Sequence, residues 1–165
     1  MTDKFIRSIG LSVITLLLGC ASEVKPQALH ESLDVEIGIP DKDTRRIFLP
    51  LESGGEIYFF KGLQVEEFVM LALRLEQHEP KAFVEVTVEN MDMGTHSTRE
   101  AWDDPEPFEC TDDEGCTLVP VLLPARELGQ LTELDGAHLR VHSEVWLEDG
   151  TRGEASIEGL LRPQR

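Results

Sequence analysis

From Leu33 onward the chain alternates. Leu33, Val35, Ile37 and Ile39 are separated by Asp34, Glu36 and Gly38, and Pro40 ends the run. A period of two sends successive side chains to opposite faces, so this pattern predicts a half-buried strand. Further strands are expected at residues 47–51, which stop near Ser53-Gly54-Gly55, and at 57–60, which end at Gly62. Residues 66–75 are the most apolar stretch: Val69, Leu71, Leu73 and Leu75 line one face, with Phe68, Met70, Ala72 and Arg74 on the other. That predicts a central strand buried on both faces, although composition alone also permits a helix. Residues 83–89 point Val84, Val86 and Val88 inward, and residues 97–102 suit a hairpin partner. Residues 117–123 are apolar but contain Pro120, which fits an edge or a bulge. Leu128, Leu131 and Leu134 have helical spacing, predicting a turn or two of helix or an irregular crossover. Leu139, Val141, Ser143, Val145 and Leu147 then alternate with polar positions, Asp149-Gly150 marks a hairpin turn, and Ala155, Ile157, Gly159 and Leu161 answer on the return strand.

About eight short strands with almost no helix predict an all-β domain, an antiparallel β-sandwich of immunoglobulin-like type. A closed barrel is the alternative. The expected body spans residues 32–163, with no internal repeat and no second domain.

The first residues follow a different pattern. Lys4 and Arg7 precede an apolar run at 9–18, too short for the roughly 20 residues a spanning helix needs. A positive flank with a short apolar core is the export pattern. The run ends Leu17-Leu18-Gly19-Cys20, which resembles the lipobox of bacterial lipoproteins. The resemblance implies a signal peptide over 1–19 and cleavage before Cys20. It also implies diacylglycerol on the Cys20 thiol, an acyl group on the freed amine, and a tether over 20–31. An ordinary secretory signal with a chance cysteine is the plainer alternative. Stable anchoring needs more than one acyl chain, and such a modification supplies two or three. Ala21 and Ser22 follow Cys20 where an inner-membrane retention signal would carry Asp, so the outer membrane is the expected location.

Charge narrows the partners. Removal of residues 1–19 takes away Asp3, Lys4 and Arg7, moving the net charge from −17 to −18. So acidic a body repels phosphate backbones and anionic headgroups, which argues against nucleic acid and leaves the lipid as the membrane contact. Solubility accounts for such a charge, and cation binding is the sharper reading. With Cys20 lipidated, Cys110 and Cys116 remain as an even pair in an oxidising compartment, and a structural disulfide is expected.

Candidate chemistry is sparse. Met91-Asp-Met93-Gly-Thr-His96 gathers two thioethers and an imidazole, ligands suited to copper as Cu(I). A turn with one packed Met and an exposed His is the alternative. The acidic run Asp103, Asp104, Glu106, Glu109, Asp112, Asp113 and Glu114 could hold calcium weakly, but lacks the EF-hand spacing. No Gly-x-Ser-x-Gly elbow or His-Glu-x-x-His occurs, and His138 and His142 share a sheet face rather than a helix face. No enzyme is expected. Trp146 reads as a packing residue.

Phe48-Leu-Pro-Leu-Glu-Ser-Gly-Gly, Lys61-Gly-Leu-Gln64 and Leu71-Ala-Leu-Arg-Leu75 are similar to the opening of a family of uncharacterised bacterial envelope lipoproteins. Trp102, Cys110, residues 118–123 and residues 139–155 continue that order. The chain departs from the family pattern at Val65, Glu66 and Glu67. The resemblance implies a fold and a compartment and little chemistry. Taken with the lack of catalytic motifs, an interaction or structural module of the envelope, with a protein partner there, is the expected role.

Overall fold

The computed structural model describes residues 32–61, 66–77, 80–112 and 115–164. The expected signal peptide over residues 1–19, Cys20 and the expected tether over residues 20–31 lie outside these residues, as do Gln64, Val65, Asp113 and Glu114. Ten strands make up the body: β1 (Val35–Pro40), β2 (Phe48–Pro50), β3 (Gly55–Lys61), β4 (Glu67–Leu75), β5 (Lys81–Asn90), β6 (Thr95–Pro107), β7 (Glu109–Thr111), β8 (Gly115–Pro124), β9 (His138–Trp146) and β10 (Arg152–Pro163). The fold is all-β and sandwich-like, a single unclosed sheet turned over on itself. One layer runs β6-β5-β9-β10, and the other is built on β4, with β1 and β2 to one side and β8 and β7 to the other.

Two crossings join the layers. Leu33 N–H donates to the Arg152 carbonyl at 2.9 Å before β1 turns to pair with β4. Further along, β3 pairs with β10 on one edge and β4 on the other. The β3–β10 pair is parallel, so the sheet is mixed, while the other strand pairings are antiparallel. Glycines admit both crossings. A Cβ on Gly153 would stand 2.2 Å from the Leu33 carbonyl oxygen, and one on Gly159 would stand 2.7 Å from that of Gly55. Only a residue without a side chain lets backbones approach so closely.

The core between the layers collects Val84, Val86 and Val88 from β5, Leu139, Val141 and Val145 from β9, and Val69, Leu71, Leu73 and Leu75 from β4. Leu118, Val121 and Leu123 of β8 complete it. Residues with a period of two thus bury one face. As the apolar run predicts, β4 is buried on both: Met70 and Ala72 on its outer face are also buried. The segment before β2 provides cover there. Arg45 lies 4.9 Å over the Phe60 ring, Arg74 lies 4.8 Å over Phe48, and the Phe60 and Phe68 rings are 6.0 Å apart.

Pro120 sits at an irregularity in register: Leu71 faces Val121 and Leu73 faces Leu118, leaving β8 an extra residue. Cys110 and Cys116 face each other across β7 and β8 and form a disulfide. The leucine-spaced segment forms two short 3-10 turns, Ala125–Glu127 and Leu131–Glu133, with Leu128 and Leu134 buried beneath. Trp146 is 2% exposed and packs.

Candidate functional site

The outer face of β6-β5-β9-β10 carries polar side chains in cross-strand rows. Glu100, Glu85, Glu144 and Glu154 are successive partners across the four strands. Thr98, Thr87, His142 and Ser156 form the next row, and His96, Glu89, Arg140 and Glu158 the one after. Like charges directly opposite one another destabilise a sheet. The four-glutamate row is therefore a feature that folding alone does not favour.

Around His142 the rows converge. Its Nδ1 lies 2.8 Å from Ser156 Oγ and its Nε2 lies 3.3 Å from Glu144 Oε1. Ligand atoms of His142, Glu144 and Glu154 all fall within 4.8 Å of one another. The Arg152 guanidinium neutralises part of this charge, 3.5 Å from Glu144 and 3.1 Å from Glu154. Arg152 also lies 5.7 Å over the Trp146 ring. In the third row Arg140 bridges Glu89 at 3.5 Å and Glu158 at 3.1 Å.

A groove of about 540 Å³ opens beside the third row, lined by Ser53, Gly54, Met91, Asp92, His138, Leu139, Glu158, Gly159 and Leu160. Asp92 accepts the His138 backbone N–H at 2.9 Å and lies 3.3 Å from its Nδ1. The backbone N–H bond, aided by the imidazole, holds the Asp92 carboxyl below its ordinary pKa. A second, polar groove of about 410 Å³ holds Lys42, Glu56, Tyr58, Asp135, Arg162 and Pro163. There the Lys42 ammonium sits 3.9 Å over the Tyr58 ring, whose hydroxyl donates to Glu56 at 2.6 Å. The Tyr58 hydroxyl, more than the nearby charges, holds the Lys42 ammonium above its usual pKa.

The residues singled out in the sequence have separate surroundings. Met91 lines the first groove, and its N–H donates to the His138 carbonyl. The Met93 sulfur packs against Gly129, 2.7 Å from where a Cβ would be. His96 is an exposed residue of β6 opposite Glu89. Both methionines are exposed, at 41% and 47%. Of the acidic run, Asp103 and Asp104 lie exposed on β6, Glu106 pairs with Arg99, and Glu109 and Asp112 are exposed near the disulfide. Sequence reasoning missed the His142, Glu144 and Glu154 grouping. Matching the apolar alternation of residues 139–147 to that of residues 155–161 would have placed Glu154 on the same outward face as Glu144 and His142.

No protein-family model matches the chain, and no curated protein shows significant similarity to it.

Proposed function

We propose that this chain is a lipid-anchored protein of the bacterial cell envelope whose body serves as a non-catalytic interaction module. The observation that carries the reading is the order of the N-terminal residues: a positive flank, a short apolar run, and Leu17-Leu18-Gly19-Cys20. The Cys110–Cys116 disulfide supports an oxidising compartment. The outer membrane is the proposed site, and an envelope protein the proposed partner. Residues 20–31, ahead of the Ser32 bridge to Arg152, are the proposed leash. Extended, those twelve residues reach at most about 40 Å.

The experiment is detergent phase partitioning of the processed protein. The unaltered chain is expected in the detergent phase, and Cys20→Ser in the aqueous phase. A Cys20→Ser chain that still enters detergent would refute the anchor.

A second reading, copper binding by Met91, Met93 and His96, draws on the exposure of both thioethers at one turn.

A further inference from the structure

We propose that His142, Glu144 and Glu154 form a surface site for a zinc-like divalent cation. The site is independent of the lipid anchor and of the Met91, Met93 and His96 group.

The ligand chemistry fits. One imidazole nitrogen and two carboxylates form a set that suits a borderline ion, with a fourth position open to water. Ligands about 2.0–2.2 Å from zinc stand roughly 3.3–3.6 Å apart in a tetrahedron. His142 Nε2 and Glu144 already meet that spacing, at 3.3 Å. Glu154, with its side chain 64% exposed, has the freedom to close the remaining gap.

The surroundings prepare the ligands. When His142 Nδ1–H donates to Ser156 Oγ, the lone pair is on Nε2, facing Glu144. A partner on the far nitrogen of this kind fixes the tautomer and ring orientation of metal-binding histidines. Glu144 is only 19% exposed, held between strands opposite Glu85 and Glu154. A bound cation would relieve the repulsion between Glu144 and Glu154, which the one guanidinium they share relieves only in part. Arg152 is the competitor for both carboxylates, and the Trp146 ring that it already lies over is a contact it can keep when a cation displaces it from them. Its departure leaves both carboxylates to the ion.

The test is zinc titration of the full chain, purified without a histidine tag, by calorimetry at physiological salt. One zinc per chain is expected, bound at least about tenfold more weakly by His142→Asn and by Glu144→Gln, and more tightly by Arg152→Ala. Calcium at the same concentration is expected to give no saturable heat, because oxygen-seeking ions gain little from an imidazole. Absence of saturable zinc binding would overturn the site, as would unchanged affinity in His142→Asn. Equal loss in His96→Asn or Met93→Leu would move the metal to the other group and also overturn it. The Nε2 resonance of His142 in the unaltered chain provides a readout that no misfolded variant can confuse. It is expected to shift on zinc addition, and a fixed resonance would refute ligation.

Discussion

β4 and β9 are both nine residues long, and both lie between neighbours on either side. β4 is buried on both faces, whereas β9 buries Leu139, Val141, Ser143 and Val145 and turns His138, Arg140, His142 and Glu144 outward. A central position in a sheet therefore does not decide how much of a strand is dry. Cover decides it. Arg45 before β2 and Phe48 at its start lie over the outer side of β3 and β4, and the sequence of β4 is apolar at consecutive positions to match. The outer side of β9 has polar side chains at every second position until Trp146, and there the charged rows collect.

The largest way to break this contrast is Leu71→Ala. Leu71 is fully buried in the core, and the loss of its side chain is expected to cost about 2–5 kcal/mol, read as a lower denaturant midpoint. A change on β9 is expected to act with the opposite sign. Ser143 Oγ is buried without a hydrogen-bond partner among the described residues. Its hydroxyl pays for desolvation with nothing in return, so Ser143→Ala is expected to be neutral or to stabilise by about 1 kcal/mol. A clear loss of stability would reveal a hydrogen bond to ordered water. The smallest effect belongs to Asp92→Asn in the β5–β6 turn, against the first residue of β9. The Asp92 carboxylate accepts the His138 N–H, and its pKa is lowered from 3.8. A lowered folded-state pKa contributes stability above that ordinary value, and the contribution is lost as pH falls through the lowered one. The variant should thus melt slightly earlier at neutral pH, with the gap closing in acid. A gap independent of pH would exclude the charge as its cause.

Much of the fold was legible because turns leave marks. Asp149-Gly150 marked the β9–β10 hairpin, and the apolar alternation on both sides of it matched Ser143 to Ala155 and Val141 to Ile157 across a three-residue loop. The β5–β6 hairpin, the packed Trp146, the bulge at Pro120 and the double burial of β4 followed from alternation, proline chemistry and apolar runs. The β3–β10 pair was not legible, since parallel strands are joined by no tight turn and leave no local signal. The candidate cation site was missed for a related reason. Motif spacing was sought along the chain, while Glu144 and Glu154 are neighbours across a hairpin.

The parallel pair has a consequence for assembly. It ties residues 55–59 to residues 159–163, near opposite ends of the body. Residues 159–163 emerge from a ribosome long after residues 55–59, so the stitch that locks one layer to the other must wait for all the strands between them. Contacts so distant in sequence make for slow maturation. A chain lacking residues 159–163 would leave that edge of β3 open to pairing with another molecule.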